Sequence, residues 1–428
     1  MNDGMEVLSG SVSIRDGRIA EVGPDPHGTW DTTIDAGGDF LIPGFVQTHL
    51  HLCQTLFRGY ADDLRLMDWL RTRIWPMEAA HTPVSLRAAA RLACFELLRG
   101  GTTCVLTMET VHDTDAVIEA AAESGIRATI GKCLMDESTP DAPRRLREDG
   151  NRGLDESLAL KRQYDGTSNG RIRVALAPRF ALSCSRGLLE AVATASAVEE
   201  MIVHTHASEQ REEILLVREA TGRANIQYFA DVGLISPRLN VAHCVWVDEA
   251  EQALLAAGGV KVTHCPGSNL KLGSGIAPIA DMHERGICLS LGADGAACNN
   301  HLDMFGEMRL AATLQAMRRH PGVLPAPTVL WMATRNGARA LGLEHDIGSI
   351  EVGKKADLAL VEAHSAHMAP APDPFSAIVY AARSTDVRLT VVDGEVLVRD
   401  GRGQRADEWQ IVHAACVEAE RLAARAGL

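Results

Sequence analysis

The chain has 428 residues, of which 46% are hydrophobic, and carries a formal net charge of −14. That length exceeds one simple core and calls for a large α/β barrel or two domains. With an acidic balance, no basic run, no apolar run long enough to span a bilayer and no signal pattern in "MNDGMEVLSG", neither nucleic acid nor a membrane is an expected partner, and the expectation is a cytoplasmic protein.

The first element is a hairpin. In "SVSIRDGRIAEVGP" the polar turn Arg15-Asp16-Gly17-Arg18 interrupts alternating apolar residues. This element is short, so a few residues are expected to precede the quoted start. A run of strand patterns follows: "FLIPGFVQT", then segments near 102–108, 126–134, 172–178, 201–206, 239–245, 260–265 and 287–294. Amphipathic segments such as "SLRAAARLACFELLRGG" and "TDAVIEAAAESG" separate most of them, with glycine or proline at the joins. Eight strand–helix units predict a (β/α)8 TIM barrel, whose functional groups belong at the C-terminal strand ends.

The far flank returns to β patterns in "GSIEVGKKADLALVE" and "LTVVDGEVLVRDG". The expected fold class is therefore α/β: a barrel over 41–344 and a small β-sandwich built from both termini, 1–40 and 345–405. "DEWQIVHAACVEAERLAARAGL" predicts an amphipathic C-terminal helix over 406–428. Of ten cysteines, Cys94, Cys104, Cys133 and Cys288 sit in apolar segments, and no CxxC pair occurs. Reduced thiols are expected rather than disulfides or a four-cysteine zinc site.

The histidines and acids fall at strand ends. His49 and His51 are two residues apart in "PGFVQTHLHLCQ", so strand alternation points both to one face. His206 ends the fifth strand in "VHTHASE", His243 the sixth in "VAHCVW" and Asp294 the eighth in "LGADGAACNN". His49, His51, His206 and Asp294 form a candidate ligand set for one divalent metal ion. Zinc suits the mixed nitrogen and oxygen donors best, with ferrous iron and manganese as alternatives. Such an ion lowers the pKa of a bound water to ~7. Hydrolysis of a carbon–nitrogen bond also needs proton traffic. Glu209, three residues after His206, is a candidate shuttle, although the acidic "SEQREE" also reads as a solvated helix start. His243 is placed to orient the water or take its proton, and Asp294 to accept one. His204 reads as structural, and His264 as a residue that could line the pocket. The fourth strand ends in Arg179, with no lysine there to bridge two metals, so one ion is expected. The H-x-E with P-C-x-x-C signature and the G-x-S-x-G elbow are absent.

Taken together, "PGFVQTHLHLCQTLFRGYADDLRLMDWLRTRIWPMEAAH", "HTHASEQ", "AHCVWVDE", "HCPGSNLKLGSGIAPI", "LGADGAACNN" and "GSIEVGKKADLAL" resemble the amidohydrolase superfamily over nearly the whole chain. Within it they resemble the ATZ/TRZ branch, and there the 5′-deoxyadenosine deaminases, with the adenosylhomocysteine/methylthioadenosine deaminases as near relatives. The resemblance implies one metal on His49, His51, His206 and Asp294, with Glu209 and His243 as the proton-handling pair. It also implies that Glu78 grips the ribose hydroxyls and that Trp69 supplies an apolar wall. Taken alone, Trp69 reads as core and Glu78 as a helix-face residue. Arg179 departs from the histidine carried near this position by the adenosylhomocysteine deaminases, and so joins the candidate substrate contacts. The expected activity is hydrolytic deamination of an adenine nucleoside to the inosine-type product, with self-association of the chain. The rival readings are a deaminase of a free heterocycle (guanine, 8-oxoguanine, a pterin or an s-triazine) and a catalytically silent metal-binding homologue.

Overall fold

The structure is a computed structural model that describes residues 2, 4–24, 28–137 and 142–428. Strands β1 (Ser11–Arg15) and β2 (Arg18–Gly23) pair antiparallel, as the hairpin signature predicts. At the turn, Asp16 and Gly17 both lie in the left-handed region, with φ 52° and 76°. That conformation matches a two-residue loop to the right-handed strand twist.

Strand β3 is Phe40–Pro43 and β4 is Phe45–His51. Read as sequence, "FLIPGFVQT" is one strand beginning the barrel; in the structure it is two strands in different sheets. Pro43 lacks an amide donor, and Gly44 packs against Thr103 where a Cβ has no room. The chain changes sheets between them, so residues 41–43 lie outside the barrel where the sequence reading put them inside.

The barrel strands follow in order: β4, β5 (Thr102–Met108), β6 (Arg127–Leu134), β7 (Ile172–Pro178), β8 (Val203–Ala207), β9 (Leu239–His243), β10 (Lys261–His264) and β11 (Cys288–Leu291). Each is parallel to its predecessor. A two-residue strand, β12 (Asp294–Gly295), then pairs with Leu50 and His51 of β4 and closes the ring. The eighth strand is thus broken at Gly292, where a Cβ would lie 2.6 Å from the His49 carbonyl oxygen. Inside the barrel the Thr48 hydroxyl meets those of Thr263 and Ser290 at 2.8 and 2.6 Å. Helices cover the outside. The helix Pro83–Arg99, for example, starts at an N-cap, Thr82, whose side chain accepts from the Ser85 amide.

The terminal sheet contains β3, β13 (Leu358–Val361), β14 (Val387–Val392), β15 (Glu395–Arg399) and β16 (Arg402–Gly403), all antiparallel. The β1–β2 hairpin docks on it through Ile19, Ile350, Leu358, Leu360, Leu389 and Val391. The protein is an α/β molecule with a TIM-like barrel and an antiparallel sheet from its two ends.

The N-terminal end of the barrel sits on that sheet through a buried charge network. The Arg127 guanidinium donates to both oxygens of Asp357, at 2.9 and 3.1 Å, and to Asp393 at 2.7 Å. Lys355 and Arg171 approach Asp393 at 3.3 and 3.5 Å. The C-terminal helix Glu408–Ala426 buries Ala415, Leu422 and Ala423 beside the first barrel helix. All ten cysteines are unpaired. Among the described residues no helix is long and apolar enough to cross a membrane.

Candidate active site

The strand ends opposite the terminal sheet converge on one cavity of about 490 Å³, counted with its mouth. Leu66, Trp69, Leu70, Phe180 and Leu272 form its apolar wall. Its polar side carries His51, His206, His243, Glu209, Asp294 and Arg179. Trp69 lines this wall from the end of the short helix Leu66–Trp69, which runs into a wide turn at Leu70–Ile74.

At the cavity floor the imidazoles face one another. His51 donates from Nδ1 to the Met108 carbonyl at 2.7 Å, and His206 from Nδ1 to the Arg179 carbonyl at 2.7 Å. In their neutral forms both therefore turn a lone pair on Nε2 into the site, and these two atoms are 3.4 Å apart. His49 Nδ1 meets His204 Nε2 at 2.8 Å, while His49 Nε2 is buried with no hydrogen-bond partner. His204, expected to be structural, is the residue that orients His49. Asp294 Oδ1 lies 3.1 Å from His49 Nε2 and 3.2 Å from His51 Nε2.

Electrostatics favour a positive charge at this point. Burial holds the His49 pKa down to about 4 and that of His206 well below its ordinary value, so both are neutral. Burial is the largest influence on His51 and opposes its protonation, but the hydrogen bond and negative charge of Asp294, with the Met108 carbonyl, together outweigh it and raise its pKa. Burial would neutralise Asp294, yet His49 and His51 hold its carboxyl well below the usual range. Facing lone pairs, an orphaned Nε2 and an ionised carboxylate make a donor set that fits one divalent cation. His49 belongs to two groups of side chains whose ligand atoms lie within 4.8 Å of one another: one with His206 and His243, the other with His51 and Asp294.

Above this floor, Glu209 Oε2 lies 3.7 Å from His243 Nε2, and Asp294 Oδ2 lies 3.8 Å from the same nitrogen. Burial, partly opposed by His243, raises the Glu209 pKa to about 7. Its Oε1 and His243 Nε2 are buried without hydrogen-bond partners. A carboxyl poised near neutrality with a free oxygen is suited to carrying a proton in either direction. The backbone here is strained: Ser208, His243, Cys244 and Asp294 have φ of 55°, 74°, 46° and 63°.

Glu78 does not stand where the resemblance implies. Its carboxylate receives a two-point contact from Arg179, at 2.6 and 3.2 Å, and a third hydrogen bond from Gln54 Nε2 at 3.0 Å. Both oxygens are engaged, and Glu78 is absent from the cavity wall, where Arg179 and Gln54 are present. A buried arginine at the end of the fourth strand holds the acid in a two-point contact. His264 also lies off the cavity; its ring is buried and burial lowers its pKa to about 3.

Sequence reasoning passed over Gln54, whose Oε1 is a buried acceptor without a partner. Its position three residues after His51 was the available signal. Ser268 and Asn269 were also passed over. The Ser268 hydroxyl donates to Asp294 Oδ2 at 2.7 Å, and His243 Nδ1 meets Asn269 Oδ1 at 2.9 Å. Both residues sit in "PGSN", directly after the seventh strand.

The sequence model of the amidohydrolase family matches residues 40–397. The 5′-deoxyadenosine deaminase of Methanosarcina mazei is 40% identical, over 99% of this chain and 96% of its own. The 5-methylthioadenosine/S-adenosylhomocysteine deaminase of Halobacterium salinarum is 40% identical, over 96% and 93% respectively. Among solved structures, the zinc-bound adenosine deaminase of Xanthomonas campestris superimposes with a TM-score of 0.87 at 33% identity, covering 96% of this chain and 93% of that one.

Proposed function

The chain belongs to the amidohydrolase family, and on that premise we propose that it is a metal-dependent deaminase that converts the 6-amino group of an adenine nucleoside to the inosine-type product with release of ammonia. The substrate class is the 5′-deoxyadenosine, 5′-methylthioadenosine or S-adenosylhomocysteine type. One observation carries the reading. Glu209 and His243 stand beside a cluster of imidazole nitrogens and a carboxylate, at the floor of a cavity walled by Leu66, Trp69, Leu70 and Phe180.

His49, His51, His206 and Asp294 would hold the cation, which we assign as zinc from the donor set and from the zinc-bound relative. When bound, a divalent cation acts as a Lewis acid that acidifies water at neutral pH. Glu209 delivers a proton to N1 of the purine, which makes C6 accept the attacking water. Asp294 Oδ2 and His243 Nε2, 3.8 Å apart, receive the proton that water gives up. That proton passes on to the departing amino group, which leaves as ammonia, and Glu209 recovers its own from the C6 hydroxyl as the carbonyl forms. The apolar wall of Trp69, Leu66 and Leu70 packs against the base and excludes bulk water. Arg179 supplies N–H donors from the opposite side, and Glu78 acts through Arg179 and Gln54 by fixing both. We further propose a homo-oligomer acting in the cytoplasm.

The engagement of Glu78 favours one second reading, a deaminase of a free aminated heterocycle, because Glu78, the acid assigned to a ribose diol, is paired with Arg179 and Gln54 and does not line the cavity. A substrate panel decides between them. The zinc-loaded protein is incubated with 5′-deoxyadenosine, 5′-methylthioadenosine, S-adenosylhomocysteine, adenosine, guanine and an s-triazine, and ammonia is measured. Ammonia from the nucleosides is the expected result; ammonia from guanine or the triazine alone transfers the assignment to a free base.

A further inference from the structure

We propose that Gly267-Ser268-Asn269, in the short helix Pro266–Lys271, form a single positioning element that sets the orientation of both proton acceptors in the site. The inference rests on the reading of Asp294 and His243 given above and goes beyond it.

The three residues are consecutive, and each is committed to a different partner. Gly267 donates its amide to Glu307 Oε2 at 3.0 Å. Glu307 comes from the helix Met304–Arg318, and a Cβ on Gly267 would collide with it. Ser268 donates its hydroxyl to Asp294 Oδ2 at 2.7 Å. Asn269 presents Oδ1 to His243 Nδ1 at 2.9 Å. Glu307 also takes a hydrogen bond from Asn299 Nδ2 at 2.8 Å, and the same amide donates to the carbonyl of Ala293, the residue before Asp294. The loops after the sixth, seventh and eighth strands are therefore locked to one another through buried side chains.

Two consequences follow for the chemistry. An Asn Oδ1 is only an acceptor, so His243 must carry its hydrogen on Nδ1. Its Nε2, buried and without a partner, is left as the acceptor that faces Glu209 and Asp294. The amide thus selects the imidazole tautomer that is able to accept a proton from the cavity. The Ser268 hydroxyl on Oδ2, with the Gly295 amide donating to Oδ1 at 2.8 Å, in turn divides the two oxygens of Asp294. Oδ2 is held on the His243 side, and Oδ1 is left toward His49 and His51. A carboxylate free to rotate would lose both assignments at once.

Asn269→Leu, Asn269→Asp, Ser268→Ala and Ser268→Thr are compared for kcat, KM and zinc affinity by competition with a chromophoric chelator. In Asn269→Leu, kcat is expected to fall about 10–100-fold, with KM and zinc affinity within about threefold of wild type. Asn269→Asp keeps the acceptor and is expected to recover most of the rate. In Ser268→Ala, zinc affinity is expected to weaken about 10–100-fold together with kcat, and Ser268→Thr restores both. Wild-type rates in Asn269→Leu and Ser268→Ala overturn the proposal. So does equal loss in all four variants, because a purely structural turn would not be rescued by retaining the acceptor or the hydroxyl. If wild type deaminates none of the nucleosides, the proposed function fails instead, and the zinc titration still tests Ser268.

Discussion

The two ends of the barrel handle buried charge in opposite ways. At the end resting on the terminal sheet, Arg127 is paired with Asp357 and Asp393, and both members of the Arg127–Asp357 pair are almost wholly buried. At the open end, His49 Nε2, His243 Nε2, Glu209 Oε1 and Gln54 Oε1 are buried without a hydrogen-bond partner in the chain, and Ser208, His243, Cys244 and Asp294 hold left-handed backbone. On the proposed function these atoms face the cation and the substrate, whereas at the closed end the chain itself supplies the partners of its buried charges. The contrast separates the part of the molecule that holds it together from the part that reacts.

Four experiments break or sharpen this contrast. The largest effect is expected at the open end: Glu209→Gln lowers kcat about 10²–10⁴-fold while metal content by elemental analysis stays at the wild-type level. Full turnover in that variant would remove Glu209 from the reaction. At the closed end, Arg127→Met strands Asp357 and is expected to cost about 3–5 kcal/mol in urea unfolding, with kcat per folded molecule unchanged. A catalytic defect there would show that the two ends are not independent.

A third test asks whether the reactive end really opposes stability. Burial raises Glu209 from 4.5 to about 7, so the folded protein holds a proton that the unfolded chain gives up. Stability is lost as pH rises from about 4.5 to about 7, and the full cost of about 3 kcal/mol is present above that window. Metal-free Glu209→Gln escapes it. The variant is expected to unfold at higher denaturant concentration than metal-free wild type at pH 8, and at the same concentration at pH 4. A gap that does not change with pH rejects this origin. The smallest effect is expected for Arg179→Lys, which loses the two-point contact with Glu78. KM for the nucleoside should rise roughly tenfold, about the worth of one charged hydrogen bond, with little change in thermal midpoint.

Much of this architecture was legible in the chain. Alternation in "QTHLH" puts His49 and His51 on one side of a strand, and His206, His243 and Asp294 each follow an apolar run that can only be a buried strand. Three Asp-Gly pairs mark three tight turns, at 16–17, 393–394 and 400–401, each with both residues at positive φ. Three features were not legible. The division of "FLIPGFVQT" at Gly44 depends on Thr103, a residue far along the chain. The role of Glu78 depends on Arg179, a hundred residues downstream, whose guanidinium occupies both carboxylate oxygens. Ser268 and Asn269 look like ordinary turn residues until the loops bearing Asp294 and His243 are brought beside them.

The sequence by itself determined the periodicity of the strands, the turns between them, and which residue types stand at strand ends. These follow from local geometry, because side-chain direction and turn conformation are decided within a few residues. Tertiary structure alone decided which polar atoms are partnered and which are left free. That depends on which strand ends the closing of the ring brings together, and no stretch of local sequence records it. The candidate site is defined by that second kind of information: a glutamate side chain is held by three hydrogen bonds at Glu78 and keeps an oxygen without one at Glu209 only because of what lies across from each.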